Sequence, residues 1–461
     1  MLVAGIDSST QSTKVVLCRA EDGAIVDQVS APHPDGTECH PRHWSRALDR
    51  ARPLLERADA VAVAAQQHGM VALDEGGEAV RPALLWNDTR SAPQARALVD
   101  ELGGAKTWAE RTGSVPVASF TVTKLRWMAE HEPDNAARTA AVLLPHDWLT
   151  RRLGAAEHVT DRGDASGTGY WSPAEGRYLP EIATAALGHE FARPRVAAPG
   201  ETVGETAWGA RIAPGTGDNM GAALGLGLRE GDVVLSIGTS GTAYAVADRP
   251  AADPSGLVAG FADATGRFLP LVCTLNAARI LTSAAAMVGA DLDELSRLAL
   301  AAEPGAGGLT LLPYLDGERT PDRPDATGVL SGLTTSNATR ENIARAAVEA
   351  LLCSLADAVG HLAAQGVTPR RMLLSGGGAG SAAVRAVAPA ILGAPVTVPE
   401  PAEYVALGDA RQAAEALAGT HERVPWPDRP ATEHEAAPGD AAAAEAVRAR
   451  YGALRDATAT W

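Results

Sequence analysis

Residues 3–17 read Val-Ala-Gly-Ile-Asp-Ser-Ser-Thr-Gln-Ser-Thr-Lys-Val-Val-Leu, and residues 233–246 read Val-Val-Leu-Ser-Ile-Gly-Thr-Ser-Gly-Thr-Ala-Tyr-Ala-Val. Each stretch is a β-rich run, a turn of Ser, Thr and Gly, and a second β-rich run, so each predicts a β-hairpin. One such hairpin in each half predicts two related domains that face one phosphate chain. The alternative is two ordinary hairpins that share composition by chance.

The two hairpins differ at the end of the first strand, where Asp7 in the first copy corresponds to Gly238 in the second. Magnesium prefers carboxylate, phosphate and water oxygens as ligands. A carboxylate in one loop and bare backbone in the other predict a magnesium–nucleotide site, with Asp7 holding the metal directly or through water. The alternative is a turn aspartate that accepts hydrogen bonds from nearby backbone N–H groups.

Strand and helix patterns alternate along the rest of the chain. Apolar runs predict buried strands at Ala60–Ala65 and Arg371–Ser375, and helical spacing predicts helices at Glu341–Ala364 and Asp440–Ala457. Alternation of this kind predicts an α/β architecture.

A chain of 461 residues is long enough for two to four domains. Because the second hairpin begins just after Arg229-Glu230-Gly231-Asp232, we divide the chain into domains 1–228 and 229–461. The terminal helix 440–457 can pack on either domain.

Composition excludes several classes of protein. The net charge of -16 and the lack of a Lys/Arg-rich run argue against a nucleic-acid partner. None of the three lysines follows a glycine, so a Walker A loop is absent. The four cysteines are far apart, as expected of reduced thiols, and no apolar run approaches about 18 residues. We therefore expect a cytoplasmic protein without a membrane partner.

Two polar loops are candidates for chemistry on a hydroxyl. Asp218, in Gly217-Asp218-Asn219, precedes a predicted helix and can accept a proton as a hydroxyl attacks phosphate; a helix N-cap is the alternative. Gln67 and His68 follow the strand Ala60–Ala65, where they can bind sugar hydroxyls or serve as structural loop residues. Trp86 can offer its ring to a sugar or fill the core.

A third loop, Gly376-Gly377-Gly378, lies between a predicted strand and a predicted helix. Consecutive glycines allow a ligand to approach the backbone closely, which fits a nucleotide better than a catalytic group.

In this order, the motifs resemble the FGGY carbohydrate kinases, and within that family the members that act on xylulose. The resemblance covers nearly the whole chain and is carried by Gly5-Ile6-Asp7, Gln66-x-His68-Gly69, Leu85-Trp86-Asn87-Asp88-x-Arg90, Gly217-Asp218-Asn219, Ser236-Ile237-Gly238-Thr239-Ser240-Gly241, Leu315-x-Gly317-Glu318-Arg319-Thr320-Pro321 and Gly376-Gly377-Gly378-Ala379.

The resemblance implies a ribonuclease-H-like, actin-type ATPase core in each domain, with a cleft between them that holds the ATP phosphates. It implies Asp218 as general base, Asp7 as the residue that assists magnesium and phosphate, and ATP and Mg²⁺ as cofactors. The implied sugar contacts are Gln67, His68, Trp86 and Asn219. The implied nucleotide contacts are Thr10, Ser12, Thr13, Gly238, Thr239, Ser240, Gly241, Thr242, Gly376, Gly377, Gly378 and Ala379.

The implied reaction is phosphorylation of D-xylulose to D-xylulose 5-phosphate, and a homodimer is compatible with the family. Two positions depart from the family: xylulose-specific members commonly have Met at Gln67, and many relatives have Arg at Gly380. The alternatives are a family kinase for ribulose, gluconate or glycerol, an actin- or chaperone-like ATPase, and a sugar sensor.

Overall fold

The computed structural model describes residues 1–459, which form two compact units. Unit 1 comprises Met1–Leu228, Ala247–Leu269 and Ala402–Asp428. Unit 2 comprises Arg229–Val246, Pro270–Pro401 and the chain from Arg429 onward.

The strands are β1 Leu2–Ser8, β2 Ser12–Arg19, β3 Ile25–Pro32, β4 Glu38–Cys39, β5 Ala60–Ala65, β6 Val71–Leu73, β7 Ala83–Leu84, β8 Ala141–Leu143, β9 Val159–Thr160, β10 Trp171–Ser172, β11 Arg177–Tyr178, β12 Arg195–Val196, β13 Gly204–Glu205, β14 Arg211–Ile212, β15 Thr216–Gly217, β16 Asp232–Ile237, β17 Gly241–Ala245, β18 Ala259–Ala262, β19 Phe268–Thr274, β20 Thr310–Leu312, β21 Val329–Ser331, β22 Arg371–Ser375, β23 Val396–Pro399 and β24 Ala431–His434.

The helices are α1 Pro41–Leu55, α2 Ala92–Glu101, α3 Gly104–Thr112, α4 Thr121–His131, α5 Pro133–Arg138, α6 Pro145–Leu153, α7 Arg162–Ala165, α8 Pro180–Leu187, α9 Asp218–Gly225, α10 Ala278–Val288, α11 Leu292–Ala301, α12 Arg340–Ala364, α13 Ala382–Leu392, α14 Tyr404–Ala418 and α15 Asp440–Ala457. Short 3₁₀ turns lie at Ala306–Gly308 and Gly377–Gly380.

The main sheet of unit 1 has the strand order β13-β14-β5-β1-β2-β3, and β15 also pairs with β5. The first hairpin supplies the antiparallel pair β1–β2, whereas β1 and β5 are parallel. Because a β-strand is pleated, successive side chains of β1 face opposite sides of the sheet. Ala4 and Ile6 pack in a core cluster with Trp44 of α1, and Val3 packs in a second cluster with Ala406 of α14.

Helix α14 lies unusually close to β1 and α9, because glycines line both contacts. A Cβ on Gly5 would lie 1.7 Å from the Ala406 carbonyl oxygen. A Cβ on Gly408 would lie 1.9 Å from the Gly221 carbonyl oxygen. Only hydrogen side chains permit this approach, and the approach fixes α9 relative to β1.

The second seven-stranded sheet has the order β18-β19-β17-β16-β22-β23-β24, and from β19 to β24 it repeats the plan of the first. Here β16 and β17 form the second hairpin, and β22 runs parallel to β16 as β5 runs parallel to β1. The structure confirms the α/β class and the repeated ribonuclease-H-like plan, a three-strand antiparallel meander extended by parallel strands.

The division of the chain by sequence differs from these units in two segments. Unit 1 includes Met1–Leu228, and it also contains Ala247–Leu269 and Ala402–Asp428. The second of these segments contains α14, whose small residues complete the core beneath β1. A break placed from one hairpin cannot reveal such a return of the chain, so the assignment of sugar binding and nucleotide binding to continuous ranges stays a prediction.

Two long helices of unit 2 resolve questions left by the sequence. The terminal helix α15 packs against α12, α13 and β20, all within unit 2. Among the described residues, α12 alone is long and apolar enough to cross a membrane, but 72% of its apolar window is buried. That burial is typical of the core helix of a globular domain.

Candidate active site

Three parallel strands of unit 1 end at one edge of the sheet and bring together Asp7, the predicted base Asp218 and the predicted sugar contact Gln67. We call this group, with His68 and Asn219, the acceptor site. Asp7 of β1 and Thr216 of β15 both pair with Ala64 of β5, one from each side. With strands about 4.8 Å apart, the Cα atoms of Asp7 and Thr216 are about 10 Å apart. Gln67 lies two residues beyond the end of β5 and Asp218 directly follows β15, so these side chains share the edge where open α/β sheets bind ligands.

Asp7 is buried, and within residues 1–459 its Oδ1 has no hydrogen-bond partner. Burial and the nearby Asp218 carboxylate raise its pKa to about 7, although the Lys14 ammonium acts in the opposite direction. A turn aspartate that caps backbone N–H groups would have that oxygen bonded. An orphaned carboxylate oxygen instead fits a hard cation.

Asp218 is the first residue of α9. The N-cap of this helix is Gly217, which has no side chain to cap it. The predicted loop is therefore shorter than the sequence indicated, because the helix begins at the aspartate itself. Its Oδ1 accepts hydrogen bonds from the Asn219 backbone N–H at 2.8 Å and from Asn219 Nδ2 at 3.0 Å. Burial of the carboxyl raises its pKa to about 6, against the opposing effect of these bonds.

Asn219 joins the candidate base to the polar residues after β5. Its Nδ2 also donates to Gln67 Oε1 at 3.1 Å. Gln67 is buried, and its Nε2 has no hydrogen-bond partner in the described part of the chain. A Cβ on Gly217 would lie 2.6 Å from Gln67 Cγ, so glycine is required for the amide to lie here. The predicted sugar contacts Gln67 and Asn219 thus form one hydrogen-bonded group with Asp218.

His68 has a left-handed backbone, with φ of 67°. Its Nδ1 donates to the Gly167 carbonyl oxygen at 2.6 Å, and its ring stacks on Phe120 at a centroid distance of 4.8 Å. The buried Lys124 ammonium donates to the His68 carbonyl oxygen at 2.9 Å. Burial lowers the pKa of Lys124 to about 7, against the opposing Asp88 carboxylate. Several elements therefore hold His68 in a conformation that non-glycine residues seldom adopt.

Trp86 does not fill the core, since 41% of its surface is exposed. Its Nε1 donates to Thr10 Oγ1 at 2.9 Å, and Thr10 Oγ1 lies 3.4 Å from Gln66 Oε1. The first hairpin loop is thereby joined to the residue before Gln67, and the exposed part of Trp86 is available to a ligand.

The predicted phosphate contacts of the first hairpin differ in their surroundings. Thr13 is buried, and its hydroxyl lies 2.8 Å from His33 Nε2 and 3.3 Å from Ser8 Oγ, so it serves the hairpin itself. Ser12 is half-buried, and its carbonyl oxygen accepts a hydrogen bond from Ser9 Oγ at 3.2 Å. Thr10 and Ser12 are accordingly better placed for a ligand than Thr13.

The predicted nucleotide loops of unit 2 also meet at one edge, because Ser236 of β16 pairs with Ser375 of β22. The hairpin loop Gly238–Ser240 is held by α10: the Ala278 N–H donates to the Gly238 carbonyl oxygen at 2.8 Å, and the Ala277 N–H donates to that of Thr239 at 3.2 Å. Thr239 is exposed, whereas Ser240 and Thr242 are half-buried and Gly241 is buried.

The triple-glycine loop lies directly against the end of β16. A Cβ on Gly376 would lie 2.8 Å from the Ile237 carbonyl oxygen, and one on Gly378 would lie 2.2 Å from Ile237 Cγ2. Gly377 has open space around its Cα, and Ala379 is buried. Two of the three glycines are therefore explained by the contact with β16, and Gly377 remains free for close approach by a ligand.

Sequence reasoning missed Lys14 as part of this site. Lys14 pairs with Asp7 across the hairpin, and its Nζ forms an ion pair with Glu403 Oε2 at 2.7 Å. The hairpin register, counted from the Ser-Thr turn, was the signal that could have placed Lys14 beside Asp7. No sequence signal placed Glu403, because it comes from the returning segment that carries α14.

Comparison with known proteins places the chain in a family. Residues 2–225 match the N-terminal domain, and residues 233–417 the C-terminal domain, of the FGGY family of carbohydrate kinases. The chain belongs to this family and is a carbohydrate kinase, which confirms the resemblance drawn from its motifs.

Among its relatives is the xylulose kinase of Streptomyces coelicolor, 49% identical over 435 residues that cover 91% of this chain and 88% of the relative. The crystal structure of xylulose kinase from Bifidobacterium adolescentis superposes with a TM-score of 0.91 at 44% identity and covers 99% of each chain. Gluconate kinase from Lactobacillus acidophilus has the same TM-score of 0.91 at 22% identity, so the fold by itself does not select the sugar.

Proposed function

We propose that this kinase transfers the γ-phosphoryl group of ATP to the terminal hydroxyl of D-xylulose, giving D-xylulose 5-phosphate. The observation that carries the proposal is the hydrogen-bonded group Asp218–Asn219–Gln67 at the strand edge beside Asp7. It combines a carboxylate of near-neutral pKa with amides suited to sugar hydroxyls. Relatives at 49% and 44% identity, both xylulose kinases, support the choice of sugar.

Asp218 acts as the general base. As the O5 oxygen bonds to the γ-phosphorus, the bond from that phosphorus to the β–γ bridging oxygen breaks, ADP leaves, and the O5 proton moves to Asp218. Because Asn219 directs two hydrogen bonds to Oδ1, we assign proton acceptance to Oδ2. Trp86, His68 and Gln67 orient the sugar, which lowers the barrier by alignment.

Mg²⁺ would bind together with ATP, as part of the nucleotide substrate. Among residues 1–459 no group of three or more His, Cys, Asp or Glu side chains forms a metal site. The orphaned Oδ1 of Asp7 fits one ligand position, direct or through water, with the others left to phosphate and water. When bound, magnesium offsets the negative charge that develops on the phosphates.

Within unit 2, the backbone N–H groups of Gly238–Gly241 and the hydroxyls of Thr239, Ser240 and Thr242 are assigned to the phosphates. Within unit 1, Thr10 and Ser12 stay candidate phosphate contacts. Gly376–Ala379 serves the adenosine. The homodimer, the lack of nucleic-acid and membrane partners, and the cytoplasmic location stay predictions from the sequence.

The product identifies the reaction. Incubation of the enzyme with ATP, magnesium and D-xylulose labelled with ¹³C at C5 should give ³¹P–¹³C coupling at that carbon. Coupling at C5 supports the proposal, whereas a phosphate on another carbon or no phosphosugar contradicts it. Product from gluconate, ribulose or glycerol but not xylulose would keep the kinase chemistry and reject the sugar.

The rate should depend on pH through Asp218. Only the carboxylate form accepts a proton, and its pKa of about 6 means that the active form is lost as pH falls through that value. Because kcat/KM reports the ionisation of the free enzyme, we expect kcat/KM for D-xylulose to be about tenfold lower at pH 5 than on the plateau near pH 8. A flat profile between pH 5 and 8, with the protein folded by circular dichroism throughout, would contradict this role.

Gln67→Met tests the sugar pocket. Xylulose-specific relatives commonly have Met here, but in this chain the amide is hydrogen-bonded to Asn219 Nδ2, which Met cannot accept, and Met has no N–H for a sugar oxygen. We therefore expect the KM for D-xylulose to rise about tenfold with a smaller change in kcat. The same substitution at the exposed Gln28 of β3 should change neither constant. An unchanged KM in Gln67→Met would remove Gln67 from the sugar site.

A further inference from the structure

A buried polar segment, Asp161–Gly167, contacts the acceptor site at two places, the turn that carries Asp218 and the ring of His68. Asp161 is the N-cap of α7: its Oδ1 accepts from the Asp164 N–H at 2.8 Å and its Oδ2 from the Gly163 N–H at 2.9 Å. The same Oδ2 accepts from Thr216 Oγ1 at 2.8 Å. Thr216 is fully buried and precedes Asp218 by two residues, so this bond ties the base-bearing turn to α7.

The other end of the segment holds His68. The Gly167 carbonyl oxygen accepts the 2.6 Å hydrogen bond from His68 Nδ1. A Cβ on Gly167 would lie 2.8 Å from that same nitrogen, while the Gly167 backbone lies outside the left-handed region. Glycine is therefore needed at position 167 to leave room for the imidazole ring, and not to allow a left-handed backbone.

Internal bonds make the segment rigid between its two ends. Ser166 Oγ donates to the Gly163 carbonyl oxygen at 2.6 Å, and Thr168 Oγ1 donates to that of Ala165 at 2.6 Å. Both hydroxyl-bearing side chains are buried. A displacement at one end of so short a segment is transmitted to the other.

A buried ion pair fastens the segment to α6. His146 Nδ1 donates to Asp164 Oδ2 at 2.6 Å, and His146 Nε2 lies 3.1 Å from Asp147 Oδ1. Burial acts to lower the pKa of His146, but the flanking carboxylates outweigh it and raise that pKa. The two carboxyls thus favour the protonated imidazole, and removal of either one would take a polar partner from a fully buried group.

We propose that Asp161–Gly167 is a positioning element for the acceptor site. It fixes the position of Asp218 through Thr216 and the position of the His68 ring through Gly167. The inference rests on the proposed role of Asp218 as base. None of its residues needs to touch substrate: Asp161 acts on the turn that carries the carboxylate, and Gly167 acts on the ring that orients the sugar. Misplacement of a reacting group by about 1 Å costs about a hundredfold in rate.

The two ends should separate kinetically. Thr216→Val keeps the β-branched shape and removes the hydroxyl bonded to Asp161, so we expect the single-turnover rate to fall by about 10- to 100-fold with the sugar KM within about threefold. Thr216→Ser keeps the hydroxyl and should recover at least half of the rate. Gly167→Ala crowds His68 and should raise the sugar KM by about tenfold, with a smaller change in rate.

Gly360→Ala is the matched control for the glycine substitution, because within residues 1–459 no atom beyond its own turn of helix would lie within 4 Å of its Cβ. If Thr216→Val does not fold, Thr216→Ala replaces it, since it removes the same hydroxyl from a smaller side chain. A wild-type rate in the folded hydroxyl-free variant would overturn the proposal. Equal losses in the Val and Ser variants, or proportional changes of rate and KM at both ends, would overturn it too.

Failure of this inference is distinguishable from failure of the base assignment. An inactive Asp218→Asn variant together with a fully active Thr216→Val variant rejects the positioning element alone. An active Asp218→Asn variant rejects the proposed base itself.

Discussion

Asp218→Asn is expected to lower kcat by about a thousandfold, with the sugar dissociation constant within about threefold of wild type. Asn has nearly the same shape and keeps an oxygen for the two Asn219 bonds, but it cannot take the O5 proton. The hydrogen-bonded group with Gln67 should therefore survive while proton acceptance is lost. Stopped-flow measurement of ADP formation gives the rate, and calorimetric titration with D-xylulose gives the affinity.

Stability distinguishes this loss from unfolding. The folded-state pKa of Asp218, about 6, lies above its ordinary value of 3.8, so the folded state holds this proton more tightly than the unfolded state does. Its contribution to stability is fully present below about pH 4 and is lost as pH rises through about 6. The neutral Asn variant should therefore melt no lower than wild type at pH 8.

A matched carboxylate control is Asp134→Asn in the first turn of α5, where the side chain is exposed. It should leave kcat unchanged. If Asp218→Asn kept more than about a tenth of wild-type turnover, Asp218 would not be the base.

Gly5→Ala is expected to destabilise unit 1 by about 3 kcal/mol or more. The new Cβ would lie 1.7 Å from the Ala406 carbonyl oxygen and 2.4 Å from the Ala410 nitrogen, both in the backbone of α14. A helix backbone cannot yield as a flexible side chain can, so β1 and α14 must separate. Asp7 is two residues along the same strand, and activity should fall with stability.

Urea denaturation followed by circular dichroism measures this effect. Gly360→Ala, near the C-terminal end of α12 with open space at its Cα, should be neutral or stabilising by up to about 1 kcal/mol. A Gly5→Ala protein with a wild-type unfolding midpoint would show that α14 does not pack on β1 at the distance described.

Local sequence signals were sufficient for the frame of this protein. The hairpins around Asp7 and Gly238 were read from alternation of β-rich runs and a Ser/Thr/Gly turn, and the terminal helix from its composition. The buried strand β5 was placed to the residue, because small apolar residues end abruptly at Gln66. These hairpins, this strand and this helix are determined by residues close together in the sequence, so local patterns are enough to predict them.

What sequence could not supply depends on residues far apart in the chain. The return of α14 beneath β1 rests on Gly5, which meets the Ala406 backbone about 400 residues further along the chain, and no local pattern encodes such an approach. The bond between Asp161 and Thr216, and that between Gly167 and His68, likewise join segments separated by 55 and 99 residues. The start of α9 at Asp218 was misplaced because Gly217 at the N-cap carries no side-chain signal.

The most direct test of the central claim is ADP release from ATP and magnesium, measured with D-xylulose, L-xylulose, D-ribulose, gluconate and glycerol, and without sugar. We predict strong stimulation by D-xylulose, weak or no stimulation by the other four, and little turnover without sugar. Turnover that is independent of sugar, or stimulated most by another member of the panel, would contradict the assignment of D-xylulose as the substrate.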